Sequence, residues 1–449
     1  MVVPASVKKA LVLLARKRQQ ELDWQQLSLA TQRKNQHQRL RVLLALAHAR
    51  AQQKRRREVE RADGGWAAST LAGYLNHGDE ITYRYNFRMT KASVNMIIEK
   101  LSAARYLTTN TCRNPKLRVT AAFKVAVCLY FMAHGKGSMK VVGDAASLGE
   151  STVRLYLEAF CAGVLAVLRP IYMPATKPTA AHVQRVREQF AYRRGIANVA
   201  MACDGTHVPF KGGPDYRNYK GWESILVLGF VDSYHLFVDA DVGAAGRSGD
   251  NTVLKYSWLL ARINEDPVGW LGEDGVIAAD GGASDGCDRL LNGFAAATEP
   301  EDCYFNFCLS STRFFVEEVF GRWKNRFRFL LAASDLDHRM LNLLIYVSMV
   351  LHNLCTIRKD DAIDFDSGSD EDWEAFHKEY ARHACPSCVR RNALHCVHAA
   401  RNRCAAPAKG ATAAALRDQI KAALWNELVD DDVRAQMVAR ARTGFREGD

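Results

Sequence analysis

No stretch of eighteen or more consecutive apolar residues occurs in this chain of 449 residues. The nearest, Val125 to Met132 and Leu343 to Leu351, fall short of the ~20 residues that carry a helix across a bilayer, so no membrane is expected as a partner. The N-terminus lacks the sequence of charged, apolar and small residues that marks a secretory signal. A disulfide framework is missing too. The 12 Cys stand mostly singly in apolar segments, as Cys128, Cys161, Cys203, Cys308 and Cys355 do, which suits reduced thiols inside a cell. Glycine is absent from residues 5–62, and proline precedes them only at Pro4. What is present, 48% hydrophobic and 24% charged residues, describes an ordinary globular chain with room for two or three domains.

Charge is spread unevenly. Residues 1–62 hold fifteen Lys or Arg against four Asp or Glu, a balance of +11 within a total of +12. A run as dense as Lys54 to Arg57 points to a polyanionic partner, to nuclear import, or to both; a solvated helix face is the alternative. The segment 1–65 reads as a basic helical or disordered arm. Residues 80–178 read as an all-α domain, opened by Thr90 as N-cap of a helix with Val94, Ile97, Ile98 and Leu101 at helical spacing. A break at Leu148-Gly149-Glu150, followed by a helix carrying Arg154 and Tyr156, has the pattern of a helix-turn-helix, whose second helix enters the major groove. Any small helical bundle joined by tight turns reads alike; the basic arm favours the DNA-binding version, with Arg154 as a contact. Prolines at 170, 174 and 178 mark a connector.

Beyond the connector the periodicity changes. "NVAMACDG", "ESILVLGFVD" and "HLFVDADVG" read as apolar strands, a helix is expected over Val253 to Ile263, and "GVIAADGG" reads as a fourth strand. This order predicts a mixed sheet with helices packed on it, an α/β domain over 190–357. Two of the strands end in a carboxylate, Asp204 and Asp280. A helix over 313–330, with Val316, Val319, Phe320, Trp323, Phe327 and Leu330 on its apolar face, presents Glu317 near one edge. Three carboxylates brought together at a sheet would suit Mg²⁺ or Mn²⁺, and a pair of such ions suits phosphodiester chemistry. Asp-Gly is also a strong turn signal, so Asp204-Gly205 alone is equally well the start of a hairpin.

Five pieces occur in order: "DGTHVPF" from Asp204, "DYRNYKGWES" from Asp215, the Asp280 strand end, "FFVEEVFGRWKNRFRFL" from Phe314, and "VLHN" from Val350. Over roughly residues 84–357 the chain resembles the PIF/Harbinger transposases and their domesticated relatives. The resemblance implies an RNase H-like catalytic domain with a DDE triad, preceded by a helix-turn-helix-like domain. It places the catalytic and metal-holding acids at Asp204, Asp280 and Glu317, with Glu318 as the fallback for the third. It also implies hydrolysis and strand transfer at transposon ends in double-stranded DNA, a Myb/SANT-like protein partner, a nuclear location, and possible homo-oligomers. In that chemistry water attacks a phosphodiester at the element's end, and the freed 3′-hydroxyl attacks target DNA by the same in-line route. Two positions depart from the family pattern: Gly281-Gly282-Ala283 replaces the aromatic-containing run after the second Asp, and Gly249 replaces a His in the Gly246 to Asn251 block. His207 reads as a residue beside the metal, a DNA contact or a structural histidine. Lys324, Arg326 and Arg328 read as phosphate contacts or as a solvated helix edge.

Residues 358–449 read as an acidic linker and a Cys/His-rich tail. Cys385, Cys388, Cys396 and Cys404, with His395 and His398 as alternatives, have a spacing that leaves a Zn²⁺ site and no site equally open. Two further functions compete with the transposase or transposase-derived nuclease: a domesticated, non-catalytic DNA-binding or adaptor protein, and an RNase H-like nuclease acting on RNA hybrids.

Overall fold

The computed structural model describes residues 65–111, 118–134, 138–174, 176–280, 287–294, 299–334, 336–360 and 413–427. The basic arm before residue 65, the acidic stretch after Asp360 and all of the candidate zinc ligands lie outside them. The chain divides into two units, Met1–Ala67 with Asn114–Leu117, and the remainder; the sheet and the helices from Thr70 onward belong to the second.

The second unit opens with helices alone: α1 Thr70–His77, α2 Glu80–Phe87, α3 Lys91–Ala103, α4 Ala121–His134, α5 Met139–Ala146 and α6 Glu150–Gly163. Thr90 caps α3 as its sequence position predicts, its hydroxyl accepting from the Ser93 amide at 3.3 Å. Asp360, the first residue of the acidic stretch, is buried and takes part in the same cap. Its carboxylate accepts from the Thr90 amide at 2.9 Å and the Thr90 hydroxyl at 2.8 Å. Helix α4, with Phe123, Val127, Phe131 and Met132 fully buried, is the centre of this bundle.

From Glu150 the chain stays helical through Tyr172, with a π-turn at Val164–Leu168 just before Pro170. This helix and His338–Ile357 are long and apolar enough to cross a membrane by length and composition. Counting only consecutive apolar residues overlooks both. Glu150, Arg154 and Glu158 interrupt the first, and the second is mostly buried as a core helix.

A helix that the sequence gives little sign of, α7 Ala180–Arg194, leads into the sheet. Val183, Val186 and Phe190 are its buried apolar anchors, too few to produce a visible periodicity. The strands are β1 Val199–Pro209, β2 Ser224–Val231, β3 Phe237–Ala245, β4 Val276–Ala278 and β5 Leu290–Leu291, in the order β3-β2-β1-β4-β5. The first three pair antiparallel; β1–β4 and β4–β5 are parallel. This mixed sheet flanked by helices is compatible with an RNase H-like domain.

One face is covered by α8 Asp250–Lys255, α9 Trp258–Glu265 and α10 Pro267–Leu271, which bury Leu254, Leu259, Leu260, Ile263 and Leu271 against Cys203, Leu228 and Phe230. The single helix expected over 253–263 is broken because Ser257 starts a new one, its hydroxyl accepting from the Leu260 amide.

The other face carries α11 Pro300–Arg326 and α12 His338–Ile357, and α13 Ala413–Glu427 packs on the first of these through Lys421–Asp302 at 2.9 Å. Helix α11 starts thirteen residues before the expected position, with proline at its first turn. It ends at Arg326 rather than Leu330, where a tighter turn, Arg328–Leu331, buries Phe329 and Leu330 instead.

Candidate active site

Strand β1 does not end at Asp204. It runs on to Pro209, with Asp204 opposite Gly229 of β2, so the Asp-Gly pair is mid-strand and not a turn. On the other side β1 loses its neighbour. Ala202 pairs with Ala278, the last residue of β4, and Asp280 follows two residues later, as Asp204 follows Ala202. The parallel register therefore sets Asp280 beside Asp204 at the point where β4 leaves the sheet.

Two glycines admit the neighbours of this point. A Cβ on Gly229 would strike the Phe320 ring, 2.7 Å from its Cε1, so the absence of a side chain lets α11 lie close to β2. Phe320 then stacks on Phe237 at 6.2 Å, Trp323 meets Phe237 edge-on at 5.5 Å, and the Trp323 indole donates to Ser348 Oγ at 2.9 Å. Burying each large ring contributes about 2 kcal/mol. This anchorage fixes the helix with Glu317 and Arg313, one and two turns earlier, over Asp204. Gly205 points the opposite way, and a Cβ there would sit against the Asp250 carboxylate at the start of α8.

The three expected acids meet on one guanidinium. Arg313 Nη1 lies 3.1 Å from Asp280 Oδ1, and Nη2 lies 3.5 Å from Glu317 Oε1 and 3.6 Å from Asp204 Oδ2. Arg313 Nε is buried with no hydrogen-bond partner. Asp204 is mostly buried and Asp280 is 62% exposed, so the cluster opens on the Asp280 side. Burial pushes the Asp204 carboxyl up to about 6; Arg313 and the Gly205 amide oppose this, while Glu317 and Asp250 add to it. The Asp250 carboxyl is also raised, by burial first and by Asp280 second. Glu318 is elsewhere: it pairs with Arg322 at 2.8 Å and His235 at 3.3 Å.

Among the described residues, no three His, Cys, Asp or Glu form a group that could hold a metal ion as they stand. The guanidinium lies between the acids. Yet one cation pairs with three carboxylates, Asp204, Asp280 and Glu317, and Asp250 stands near enough to add to the raised proton affinity of Asp204. An all-oxygen donor set with surplus negative charge is what a hard divalent cation takes, so the residues fit Mg²⁺ or Mn²⁺ once Arg313 moves aside.

The basic residues are placed differently from expectation. Lys324 does not face solvent: its Nζ turns back to β1 and donates to Thr206 Oγ1 at 2.6 Å and to the His207 carbonyl at 2.9 Å. Burial, with Lys220 nearby, pushes it down to about 8. Arg326 is 4% exposed and donates to the Arg88 carbonyl at 2.9 Å, so it is a structural residue and not a DNA contact. Successive positions on a helix point far apart, which is why two residues of one charge run differ so much. Arg154 is committed to Asp337 at 2.6 Å and Glu158 at 3.8 Å, joining α6 to the N-cap of α12 instead of presenting a free cation. Arg328 remains exposed. His207 Nδ1 meets Ser224 Oγ at 2.9 Å.

The Leu-His-Asn segment is a clamp. Asn353 accepts from the Phe237 amide and donates to the Phe237 carbonyl, both at 2.8 Å, and also donates to the Tyr172 carbonyl at 2.9 Å. His352 is fully buried against the His235 carbonyl, and burial pushes it down to about 3, so it is neutral.

Sequence reasoning gave Arg313 no role. Its spacing of four before Glu317 on a helix was the available signal. Asp250 was visible as part of the Gly246 to Asn251 block and as an alternative acid, with Glu318, to Asp280 or Glu317.

Residues 203–353, roughly a third of the chain, match the family model of the DDE superfamily endonucleases. No curated protein matches the chain, and no solved structure does. The matched segment begins one residue before Asp204 and ends at Asn353, so it contains the four acids, Arg313 and the clamp.

Proposed function

We propose that the chain is a divalent-metal-dependent DNA endonuclease of the PIF/Harbinger transposase type, an active transposase or a nuclease descended from one. The observation that carries this reading is the meeting of Asp204, Asp280 and Glu317 on the single guanidinium of Arg313. The match to the DDE superfamily endonucleases supports the nuclease class and DNA as substrate. The PIF/Harbinger type rests on the order of the sequence blocks.

In this reading Asp204, Asp280 and Glu317 hold Mg²⁺ or Mn²⁺, which when bound supplies Lewis acidity to a phosphodiester and its attacking water. The chain's own residues do the rest. Asp204, fixed by the Gly205 amide at 2.9 Å, holds its carboxylate rigidly at the centre of the cluster. Arg313, released from the acids, can pair with a phosphate oxygen in the bidentate way suited to guanidinium. Lys324 keeps a cation against the same strand. No residue need form a covalent bond to DNA. Double-stranded transposon ends as substrate, a Myb/SANT-like partner, homo-oligomeric assembly and a nuclear location complete the proposal.

A second reading, a DNA-binding or adaptor protein that keeps the acids as scaffold, is favoured by the same guanidinium, since Arg313 already pairs with all three acids. One experiment separates them: incubation of supercoiled DNA with the full chain and Mg²⁺ or Mn²⁺. The nuclease reading expects nicking that chelation and Asp204→Asn both abolish. Absence of metal-dependent nicking on cognate DNA would favour the scaffold.

A further inference from the structure

Three residues beyond Asp204, strand β1 meets a surface of another kind. Arg217 and Glu223 pair across an antiparallel bridge, and between them the chain turns sharply, with Gly221 at φ +88°. The Asn218 amide donates to the Trp222 carbonyl at 2.8 Å and the Gly221 amide to the Asn218 carbonyl at 3.0 Å. The buried Asn218 side chain ties the turn from beneath. Its Oδ1 accepts from the amides of Lys220 at 3.0 Å and Trp222 at 3.3 Å, and its Nδ2 donates to Ser224 Oγ at 3.1 Å. Ser224 Oγ is also the partner of His207, so the turn is tied to the strand that bears Asp204.

This stiff turn presents aromatic rings to solvent. Tyr219 is 82% exposed and Trp222 37%, each edge-on to His207 at 6.0 and 5.8 Å. Two exposed rings side by side on a stiff turn form the kind of patch that marks an interaction surface. The local charge says with what. Lys220 Nζ stands 5.5 Å from the Tyr219 ring centre; burial, with Lys220 beside it, lowers the proton affinity of Lys324, and burial, with Lys324 and Lys220 near, lowers that of His207. Glu223 is occupied by the amides of Gly212 and Gly213, at 3.0 Å each. An occupant that brings both negative charge and flat π-faces suits this surface.

We infer that the turn Asn218–Trp222 is a stacking platform for unpaired nucleotides of the DNA strand that reaches the acid cluster, with bases on Tyr219 and Trp222 and phosphate on Lys220. The inference rests on the nuclease reading for the identity of the strand. Stacking on aromatic side chains is sequence-tolerant because every base has a π-face, and a neighbouring cation adds both phosphate and cation–π attraction. A strand lying along β1 would then pass from a basic aromatic surface to an acidic one, its bases held while a phosphodiester meets the carboxylates.

The test is fluorescence anisotropy of the full chain with a labelled oligothymidylate and with a duplex of equal length, at about 0.3 M salt to weaken backbone-only binding by the basic arm. The variants are Tyr219→Ala/Trp222→Ala and Tyr219→Phe/Trp222→Phe. The platform predicts about tenfold weaker single-strand binding in the double Ala variant, with duplex binding changed less than about twofold. It predicts recovery in the double Phe variant. Equal binding by wild type and double Ala overturns it, as does equal loss on both DNAs that Phe does not restore. A double Ala variant that binds DNA normally but sediments as a smaller species assigns the surface to a second copy instead. The two proposals fail separately: ring-dependent single-strand binding without nicking removes the nuclease, and normal nicking with ring-independent binding removes only the platform.

Discussion

Two regions of strand β1, only a few residues apart, carry opposite charge and are held in opposite ways. At Asp204 three carboxylates crowd one guanidinium. At Thr206 and His207 a lysine and its neighbour Lys220 stand beside aromatic rings with no carboxylate among Lys324's hydrogen-bond partners. Burial raises the acid at one place and lowers the base at the other, so both are driven towards neutrality. Each region therefore holds charge that folding alone does not stabilise. The difference indicates what each is suited to meet: a cation at the first, a polyanion at the second.

The largest expected effect breaks the acidic half. Asp204→Asn should lower metal-dependent nicking by at least about a thousandfold, measured as initial rates on supercoiled DNA, because it removes the charge at the centre of the cluster. Next, Arg313→Gln should destabilise the metal-free protein by on the order of 3 kcal/mol, since it leaves several carboxylates unneutralised. Its urea midpoint should recover on adding Mg²⁺ more than that of the wild type does; equal recovery would show that Arg313 and the cation do not compete.

Acid and base can also be compared by pH in chelator-containing buffer. Asp204 has a folded pKa of about 6 against a usual 3.8, so the folded state binds more protons between those values. Its contribution to stability is therefore greatest below about 3.8 and is lost as pH rises through 6, amounting to about 3 kcal/mol. Lys324, at about 8 against 10.5, has the opposite sign: the unfolded state binds more protons, and stability is gained as pH rises from 8 to 10.5. Subtracting the pH–stability curve of Asp204→Asn from that of wild type should isolate the first slope, and Lys324→Met the second. Slopes that survive these substitutions would assign the titrations to other groups.

Smaller effects sharpen the frame. Asn353→Ala leaves the Phe237 amide and carbonyl unpaired and should cost about 2 kcal/mol in urea unfolding. Arg328→Ala should weaken duplex binding only a few-fold and lower the salt-dependence slope by about one, as for loss of a single phosphate contact.

The sequence made the acids visible but not their arrangement. Asp204 stood out because it follows an apolar run, yet the same Asp-Gly pair argued for a turn; only the register with β2 and the early end of β4 show a continuing strand. Glu317 and Glu318 were adjacent in sequence, and helix geometry, fixed by Phe320 against Gly229, is what separates them. Lys324 and Arg326 looked equivalent as members of one basic run, but tertiary packing sends one to β1 and the other to the Arg88 carbonyl. Four of the five strands were legible because they are nearly continuous apolar runs; β5, two residues long, was not. Helix α7 was not, because it buries few apolar side chains and its stability comes from packing on β1. Asn353 was legible as part of a motif, while its role as a backbone clamp depends on Phe237, more than a hundred residues away.

The most direct measurement is the binding of Mn²⁺, counted by the loss of its free-ion paramagnetic resonance signal, to wild type, Asp204→Asn and Arg313→Gln. The account predicts bound Mn²⁺ in the wild type, at least about tenfold weaker binding in Asp204→Asn, and binding as tight or tighter in Arg313→Gln. Equal binding by all three proteins would place the ion elsewhere and contradict the assignment of these acids to a cation site.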